Sequence, residues 1–353
     1  MDGILLNKKI GIIGGGISGL VVGIFLAKLG HKVSIFEKKF LLSETSSKTT
    51  KLLHGGLRYL ENFHFKEVRN GLNDRYWWLK NFPQNTNKIK ISIPLKNSFS
   101  LELLKFYSGI KLYEFLAGEK KLGKSNLFLN TAFEDIALNK VFKGYLSFYD
   151  GLMDDQMLGK DLINLAKELK INLYENNEVS YFDIHGNIDN EKFEKVILAV
   201  GPWTKLLLKK NKINTTKDID YIKGSHLIIN KKIKSGLMFK GICKSRYVFA
   251  LPYKENTLLG TTEVRVDSPE EPKIDIKEKN YLIDSINMFL QDPVKSSDII
   301  STYSGIRPLI KSKNNSHDSS RDFYIQKDTN LISIFGGKWT TSPSIARKIA
   351  TII

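Results

Sequence analysis

Cysteine is almost absent from this 353-residue sequence, which contains only Cys243. A single cysteine forms neither an internal disulfide framework nor a cysteine-rich metal site, so a reducing, cytoplasmic setting is expected. Long apolar runs are scarce as well. The N-terminal run after Lys8 carries five glycines between Gly11 and Gly19 and is interrupted by Lys28. This composition favours a nucleotide-binding unit over a signal peptide or a membrane anchor.

Arginine is also scarce, although the chain is basic. The net charge is +17, yet only eight of the 54 basic residues are arginine. The lysines are scattered along the chain, which favours solvated surface positions, and no nucleic-acid-binding motif accompanies them. A basic surface attracts anionic lipid headgroups. Peripheral contact with the inner face of a membrane is therefore the alternative to a freely cytoplasmic protein, and nucleic acid is not an expected partner.

A strand, a glycine-rich turn, a helix and a second strand follow one another at the N-terminus. Lys9–Ile13 and Lys32–Phe36 have the apolar pattern of buried strands, and a helix is predicted from about Leu20 to Leu29. The turn between the first strand and the helix has the G-x-G-x-x-G spacing, with its glycines at Gly14, Gly16 and Gly19. This order predicts a β-α-β unit.

The glycines of this turn match the requirements of a dinucleotide. The first permits a tight turn, the second lets the backbone approach a pyrophosphate, and the third lets the helix pack against the strand. The helix N-terminus presents unpaired N–H groups to the phosphates. Glu37 ends the second strand, where its carboxylate can accept hydrogen bonds from a ribose diol. The unit predicts a dinucleotide cofactor without separating FAD from NAD.

The rest of the chain alternates helical and strand patterns. Further helices are predicted at Lys66–Asn81, Met157–Leu169, Glu278–Gln291 and from Ser342, and residues 86–150 alternate short strands with amphipathic stretches such as Leu101–Leu116. Further strands are predicted at Ile171–Tyr174, Val196–Val200 and Leu331–Phe335, and residues 220–265 are strand-rich. The first and last segments are interpreted as parts of one domain that another domain interrupts twice.

Three of the eight arginines are candidates for an anion site, namely Arg58, Arg307 and Arg321. In a chain whose basic residues are mostly lysine, an arginine indicates a position that requires the donor geometry of a guanidinium. The planar guanidinium grips phosphate oxygens with two parallel N–H donors, which lysine cannot do. The alternative interpretation is that these are surface or ion-paired arginines.

Residues 45–61, TSSKTTKLLHGGLRYLE, closely resemble the flavin-embracing segment of the quinone-linked, FAD-dependent glycerol-3-phosphate dehydrogenases. Further matching motifs follow in the same order: residues 199–203, AVGPW; 223–226, KGSH; 260–264, GTTEV; 302–309, TYSGIRPL; 320–324, SRDFY; and 335–341, FGGKWTT. The resemblance runs from about residue 8 to the C-terminus and is poor over about 86–145.

The resemblance implies an α/β fold of the D-amino-acid-oxidase-like flavoprotein type. A Rossmann-like FAD-binding domain, expected at residues 1–85, 146–215 and 305–353, is interrupted by a strand-rich α+β substrate domain at residues 86–145 and 216–304. The implied cofactor is FAD. The implied reaction is oxidation of sn-glycerol 3-phosphate to dihydroxyacetone phosphate by hydride transfer to FAD, with electrons passed to a quinone or another acceptor.

The resemblance also implies roles for individual residues. The substrate pocket is expected to contain Arg58, Tyr59, His226, Arg307, Arg321 and Lys338. His226 is the candidate base, because the ordinary pKa of histidine lies near working pH; Arg307 is the candidate partner of the reacting oxygen. The residues expected to bind FAD are Gly14, Gly15, Gly16, Ile17, Ser18, Gly19, Glu37, Lys38, Thr45, Ser46, Ser47, Leu52, His54, Gly55, Gly56, Val179, Gly201, Gly337, Lys338, Trp339, Thr340 and Thr341.

Several further expectations complete the interpretation. The helix from Ser342 is expected to point its N-terminus at the N1–C2=O edge of the flavin. His31, His64, His185 and His317 share no metal-ligand spacing, so no metal is expected. Longer members of the family continue into a helical C-terminal domain, which this sequence is expected to lack, and the acceptor therefore stays open, molecular oxygen included.

Three rival functions remain. The nearest is a flavoenzyme of the same fold that oxidises a 2-hydroxy acid or an amino acid; such a substrate needs fewer cations than a phosphate dianion. The second is an NAD-linked dehydrogenase. The third is a basic protein that binds membrane or nucleic acid without catalysis, which would leave the histidine and arginine motifs unexplained.

Overall fold

The computed structural model describes residues 7–96, 100–131, 133, 138–243, 246–311 and 323–353. The side chains of Arg58 and Asn62 are outside that description. Two of the predicted site residues are affected. Arg321 lies outside the described residues, and Arg58 is described by its backbone alone.

Seven α-helices occur in the described ranges. They are α1 (Ile17–Lys28), α2 (Phe65–Asn81), α3 (Leu101–Ala117), α4 (Asp155–Glu168), α5 (Thr204–Lys210), α6 (Ile276–Asn287) and α7 (Ser342–Ala350). All the predicted helices are present, although their ends move by up to four residues. The helix α5 was not predicted from the sequence, because seven residues make only two turns and leave little periodicity to detect.

The strands of the described residues number eighteen. They are β1 (Lys9–Ile13), β2 (Lys32–Phe36), β3 (Leu52–Leu53), β4 (Thr86–Leu95), β5 (Asn126–Leu129), β6 (Gly144–Met153), β7 (Asn172–Tyr174), β8 (Asn187–Ile188), β9 (Glu191–Lys192), β10 (Lys195–Leu198), β11 (Ile219–Ile229), β12 (Gly236–Lys240), β13 (Tyr247–Tyr253), β14 (Asn256–Gly260), β15 (Val264–Val266), β16 (Ile299–Ile310), β17 (Phe323–Asp328) and β18 (Leu331–Gly336).

The first sheet has six strands in the order β17-β18-β10-β1-β2-β7. Its strands pair in parallel except β17 and β18, which are antiparallel. The central strands are buried on both faces and read as continuous apolar runs, as in other parallel sheets. The predicted bounds of the first two strands are confirmed, whereas α1 begins at Ile17, so that Ile17, Ser18 and Gly19 form its first turn.

Two apolar cores hold this sheet. On one face α1, α4 and α7 pack around residues such as Ile12, Ile35 and Leu158; on the other, Ile13 and Phe193 belong to a second cluster. Each fully buried aliphatic side chain stabilises the fold by roughly 1.5–3 kcal/mol. The cores therefore fix the carboxyl ends of β1 and β10, where the glycine turn and residues 199–203 follow.

The second sheet has ten strands, eight of them in the order β15-β11-β14-β13-β12-β4-β6-β3, with β16 paired to β11 and β5 paired to β6. The longest pairing joins β11 and β16 and sets His226 opposite Tyr303 and Ile222 opposite Arg307. Because side chains alternate along a strand, this register directs residues of both strands to one face of the sheet.

Sheet membership divides the chain differently from the expected domain limits. The expected boundary at residue 146 falls inside β6, and that at residue 305 falls inside β16; both strands belong to the ten-stranded sheet. The short β3 also joins this sheet by pairing with β6. Long-range pairing of this kind leaves no trace in local sequence patterns, and the division into domains stays a proposal.

None of the helices in the described ranges combines the length and the apolarity that crossing a bilayer requires.

Candidate functional site

A large cavity of about 880 Å³ is lined by residues of both sheets. The glycine turn, the end of β2, residues 45–56, residues 199–203 and residues 336–340 contribute from one side. Phe148, Phe249, Thr261 and Arg307 contribute from strands of the ten-stranded sheet or from the turns beside them. A cavity shared by a nucleotide-binding turn and a second sheet can hold a cofactor and a smaller molecule together.

The glycine turn forms one wall of this cavity. Gly14 adopts φ +105°, a conformation that favours glycine, and a Cβ on Gly19 would lie 2.0 Å from the carbonyl oxygen of Gly14. Gly16, Ile17 and Ser18 line the cavity, and the backbone N–H of Ile17 donates to Ser46 Oγ at 3.0 Å. No acidic side chain occupies the first turn of α1. This geometry suits the pyrophosphate of a dinucleotide.

Glu37 lies at the end of β2 and joins two loops. Its carboxylate oxygens accept hydrogen bonds from the backbone N–H of Gly15 at 2.8 Å and that of Lys39 at 2.9 Å. The carboxylate is therefore held in place beside the glycine turn. It still lines the cavity, where remaining lone pairs can accept hydrogen bonds from a ribose.

Most of the residues predicted to bind the cofactor line the cavity. Those that do are Gly14, Gly16, Ile17, Ser18, Glu37, Lys38, Thr45, Ser46, Leu52, His54, Gly56, Val179, Gly201, Gly337, Lys338, Trp339 and Thr340. Those that do not are Gly15, Gly19, Ser47, Gly55 and Thr341. The second group supports the wall from behind; Ser47 Oγ, for example, donates to the carbonyl oxygens of Ser43 and Glu44.

Two cationic groups from distant parts of the chain reach the same cavity. Lys338 Nζ donates to Tyr59 Oη at 2.8 Å and lies 4.7 Å from the centre of the Tyr59 ring. Arg307 Nη2 donates to Thr261 Oγ1 at 2.7 Å, and Arg307 Nη1 lies 3.6 Å from Glu263 Oε1. Of the six predicted pocket residues, Tyr59, Arg307 and Lys338 thus line one cavity.

His226 does not line the cavity, since its side chain is 1% exposed and lies behind Thr50. Its Nε2 is 2.9 Å from Thr50 Oγ1, its ring stacks on Tyr303, and its Nδ1 has no hydrogen-bond partner among the described residues. Burial, together with the positive charges of Arg307 and Lys51, holds the pKa of His226 well below its usual range. The imidazole is therefore neutral at pH 7.

The depressed pKa of His226 predicts a pH-dependent stability. The unfolded chain binds a proton at His226 near pH 6.5, whereas the folded chain does not. The free energy of unfolding is therefore unaffected by His226 well above pH 6.5 and decreases as the pH falls below it. For one proton the decrease is at most about 1.4 kcal/mol per pH unit. Denaturant unfolding between pH 7.5 and 5 should show a smaller loss for His226→Gln than for the native chain. Equal losses would contradict the assignment.

Some cavity residues were not singled out from the sequence. Thr50 and Lys48 line the cavity from the segment at residues 45–61, and Thr261 and Glu263 line it from the motif at residues 260–264. All four lie in motifs that the sequence analysis quoted, so the signal was present. The directions of their side chains depend on how distant strands pair, and this pairing cannot be predicted from the motifs.

The helix α2 supports the cavity from outside. Trp78 Nε1 donates to the carbonyl oxygens of Trp339 and Thr340, both at 3.2 Å. Gly71 packs so closely that a Cβ there would lie 2.7 Å from the carbonyl oxygen of Gly55. Asp74, fully buried, accepts a hydrogen bond from Arg347 of α7. One helix thus contacts two stretches of chain beside the cavity, at Gly55 and at residues 339–347.

A buried polar network continues from α2 to β6. Arg75 Nη1 donates to Asp150 Oδ1 at 3.0 Å, and Tyr113 Oη lies 3.1 Å from Asp150 Oδ2. The hydroxyl of Tyr113 accepts the backbone N–H of Gly55 at 2.8 Å. Burial raises the pKa of Asp150, against the opposing charge of Arg75. The network connects residues 45–61, through Gly55, to the ten-stranded sheet, through Asp150 of β6.

In the ranges that the structure describes, no group of three or more His, Cys, Asp and Glu side chains is arranged to hold a metal ion.

Comparisons with known proteins agree on one family. Residues 9–352 match the model of the FAD dependent oxidoreductase family. The chain is 30% identical over 367 aligned residues to the aerobic glycerol-3-phosphate dehydrogenase of Bacillus subtilis, covering 97% of this chain and 66% of that protein. The corresponding protein of Staphylococcus saprophyticus is 29% identical with the same coverage. The chain therefore spans slightly less than two thirds of the length of these relatives.

Solved structures share the fold. The L-α-glycerophosphate oxidase of Mycoplasma pneumoniae, determined with FAD bound, has a TM-score of 0.78 at 20% identity and matches 98% of this chain and 94% of its own. The glycerol-3-phosphate dehydrogenase of Bacillus halodurans complexed with FAD has a TM-score of 0.73 at 21% identity, over 98% and 64% of the two chains. The glycine oxidase of Bacillus cereus has a TM-score of 0.71.

Proposed function

Because this chain belongs to the family of FAD-dependent oxidoreductases, we propose that it oxidises sn-glycerol 3-phosphate to dihydroxyacetone phosphate. The observation that carries the proposal is the meeting of Arg307, Lys338 and Tyr59 in the cavity that also contains the glycine turn. A phosphate dianion needs several cationic donors. The substrate named for the similar proteins of Bacillus subtilis and Staphylococcus saprophyticus is the same compound.

The residues of the cavity fit FAD. Gly14 and Gly337 line the cavity with φ of +105° and +86°, and a Cβ would lie 2.6 Å from the Ala199 carbonyl oxygen and 2.7 Å from Ile345 Cδ1, so both turns require glycine. Glu37 suits the adenosine ribose, the N-terminus of α1 suits the pyrophosphate, and residues 336–340 suit the flavin. When bound, FAD would supply the acceptor for a hydride. The residues of this chain bind and orient the substrate and accept the proton of its alcohol.

The phosphate is expected to bind to Lys338 and Tyr59, which already form one hydrogen-bonded pair. Arg307 is expected to bind the reacting oxygen, because Thr261 and Glu263 hold its guanidinium at the cavity wall. Arg58 and Arg321 remain proposed phosphate ligands. The side chain of the first and the whole of the second lie outside the described residues.

We propose that the alcohol proton reaches His226 through Thr50. The Thr50 hydroxyl lines the cavity and stands 2.9 Å from Nε2. The hydroxyl can take the proton of the substrate alcohol while its own proton passes to the neutral imidazole, so that no charge is left on threonine. His54 also lines the cavity and is expected to contact the flavin.

The start of α7 is proposed to stabilise the reduced cofactor. The helix begins at Ser342, immediately after the cavity-lining residues 336–340. Its N-terminal N–H groups and the Lys338 ammonium both favour negative charge nearby. Such a charge develops on the N1–C2=O side of a flavin when it is reduced.

The electron acceptor is proposed to be a quinone or another small oxidant, with peripheral contact between the chain and an anionic membrane. The basic composition supports such contact, since a net charge of +17 attracts anionic headgroups.

Anaerobic titration of the purified protein tests the substrate. Glycerol 3-phosphate should bleach the visible band of the bound flavin, whereas lactate and glycine at equal concentration should leave it unchanged. Bleaching by lactate or glycine but not by glycerol 3-phosphate would overturn the substrate assignment in favour of a same-fold hydroxy-acid or amino-acid oxidoreductase. Protein that purifies without flavin and gains none on reconstitution would overturn the cofactor assignment.

A further inference from the structure

A buried ion pair joins Lys51 to Asp155 beside the cavity. Lys51 Nζ donates to both carboxylate oxygens of Asp155 at 2.6 Å, and the two side chains are 6% and 1% exposed. Burial raises the pKa of Asp155, against the opposing charge of Lys51. A buried ion pair adds little net stability on average, because desolvation offsets the attraction. Its position is therefore the informative feature: neither residue lines the cavity, but Thr50 and Leu52 on either side of Lys51 do.

The pair fixes the backbone on both sides of Thr50. On one side, Thr49 Oγ1 donates to Asp155 Oδ2 at 2.7 Å and accepts the N–H of Lys51 at 3.0 Å. On the other side, the carbonyl oxygen of Lys51 accepts the N–H of Met153 at 2.8 Å. Lys51 itself adopts φ +63°, a conformation that residues with a side chain rarely adopt. The turn that presents Thr50 therefore depends on these bonds.

The position of His226 is fixed separately. Its ring stacks on Tyr303 with 4.8 Å between the ring centres, and a Cβ on Gly260 would lie 2.3 Å from its Cδ2. Tyr303 also donates its hydroxyl to the carbonyl oxygen of Thr49 at 2.5 Å. Because the imidazole has little room to move, its 2.9 Å contact with Thr50 Oγ1 depends on where Thr50 is held.

The ion pair also affects the charge around this imidazole. Burial lowers the imidazole pKa first, and the positive charges of Arg307 and Lys51 lower it further. Tyr303 and Tyr253 lie beside the pair, with their ring centres 5.3 Å and 5.9 Å from Lys51 Nζ. Burial raises the pKa of both tyrosines, so neither is charged at pH 7. Asp155 thus balances Lys51, and loss of either partner leaves one uncompensated charge near the imidazole.

Asp155 belongs to a helix that packs on the nucleotide-binding unit. It is the first residue of α4, after the capping residue Asp154. Leu158 and Leu162 of α4 share an apolar core with Leu20 of α1, the helix that follows the glycine turn. A group held on a packed helix is positioned more accurately than one on a free loop. The ion pair therefore connects Thr50 to the unit that contains the glycine turn.

We propose that Lys51 and Asp155 act as positioning residues for the proton step. Their ion pair holds Thr50 in contact with His226 and balances the charge beside the imidazole. The inference rests on the proposed function, in which the alcohol proton passes to the Thr50 hydroxyl while the proton of that hydroxyl passes to His226 Nε2. It adds to that step two residues that do not line the cavity.

Two single variants separate charge from packing. Lys51→Met leaves the negative charge of Asp155 uncompensated, so His226 should take up a proton at a higher pH than in the native protein. Asp155→Asn leaves the positive charge of Lys51 uncompensated and should produce no such rise. NMR titration of the FAD-loaded protein, labelled on histidine, measures both effects without turnover. The variant His226→Gln identifies the signal of His226.

Stopped-flow reduction of the flavin by glycerol 3-phosphate tests the effect on the reaction. Both variants should lower the limiting rate constant by about 10- to 100-fold, because a displaced reacting group costs that much. The half-saturating substrate concentration should change less than about twofold, since neither residue lines the cavity. The acidic limb of the pH profile should move to higher pH in Lys51→Met. In Lys51→Arg, which keeps the charge, the limb should stay at its native position.

Arg265→Met is the matched control. It also removes the basic partner of a buried carboxylate, that of Asp220, which is 10% exposed and lies 2.6 Å from Arg265 Nη2. Both residues are in the ten-stranded sheet, on β15 and β11, and neither lines the cavity. The titration of His226 should be native in this variant, and the rate constant of flavin reduction should stay within about twofold of the native value.

An unchanged titration of His226 in Lys51→Met would overturn the proposal, as would an equal rise in Arg265→Met or Asp155→Asn. If Lys51→Met does not retain its flavin, Lys51→Met/Asp155→Leu replaces it, because removing both charges of a buried pair is less costly. This double variant should titrate as the native protein does and still reduce its flavin at least about tenfold more slowly; a native rate constant would show that the pair does not position Thr50. Failure of glycerol 3-phosphate to bleach the native flavin would overturn the proposed function alone, and the NMR titration would then decide the role of the pair.

Discussion

Arg307→Lys is expected to lower kcat/KM for glycerol 3-phosphate by about 100-fold while leaving flavin content unchanged. The guanidinium uses one nitrogen to hold Thr261 Oγ1 at 2.7 Å and has another facing Glu263. Lysine keeps the positive charge but lacks the planar guanidinium with its several N–H donors. It therefore cannot bind Thr261, Glu263 and a substrate oxygen at the same time. Loss of a hydrogen bond to a charged group costs about 1.5–3 kcal/mol, which corresponds to a roughly 10- to 150-fold change.

Steady-state kinetics with a dye acceptor, alongside the flavin absorbance of the purified protein, provide the measurement. Arg69→Lys is the matched control, because Arg69 is exposed on α2 and does not line the cavity. Its kcat/KM should stay within twofold of the native value. If Arg307→Lys has native kinetics, the guanidinium does not touch the substrate. If it loses flavin instead, Arg307 belongs to the cofactor site.

Arg75→Leu is expected to destabilise the protein by about 3–5 kcal/mol. The side chains of Arg75 and Asp150 are 1% and 4% exposed, so the substitution leaves a buried carboxylate without its counter-charge. Tyr113 bonds both Asp150 and the backbone of Gly55, and flavin affinity should therefore fall with stability. Urea unfolding of the FAD-free protein, followed by circular dichroism, measures the first effect; equilibrium dialysis measures the second.

A double substitution separates charge from packing at this pair. Arg75→Leu/Asp150→Leu should recover part of the lost stability, because removing both charges of a buried pair is far less costly than removing one. Lys232→Leu, which breaks an exposed pair with Glu255, should cost less than about 1 kcal/mol. A loss for Arg75→Leu no larger than that of Lys232→Leu would show that Asp150 is not left charged and buried.

The N-terminal unit shows how far the sequence alone could reach. The strands at Lys9–Ile13 and Lys32–Phe36 have the predicted bounds, because a strand buried on both faces is a continuous apolar run with clear ends. The predicted start of α1, at Leu20, was wrong by three residues, because the helix begins at Ile17. The glycine motif looks like a turn throughout, yet Gly19 lies inside the helix and packs on Gly14.

The site was predictable in part. Tyr59, Arg307 and Lys338 were named from their motifs and line one cavity, although residues 59, 307 and 338 come together only through the assembled sheets. The position of His226 behind Thr50 could not be predicted, since it follows from the pairing of β11 with β14 and β16. The network of Arg75, Tyr113 and Asp150 belongs to no motif, and its members are far apart in sequence.

The interpretation of lysine as a solvated residue also has informative exceptions. Lys51 is 4% exposed and forms an ion pair with Asp155 at 2.6 Å, and Lys223 is 9% exposed and forms one with Glu278 at 2.8 Å. Both stand inside the quoted motifs or beside them. A buried ammonium needs a carboxylate from elsewhere in the chain, and the sequence does not reveal which carboxylate that is.

The contacts of α2 affect how the protein unfolds locally and releases its cofactor. Because Gly71 contacts Gly55 while Asp74 and Trp78 contact residues 339–347, opening either stretch weakens the contacts of the helix with the other. Release of the nucleotide and fraying of α2 should therefore behave as one cooperative event. Bound cofactor then protects the amide protons of this helix from exchange with solvent, even where the helix does not touch it.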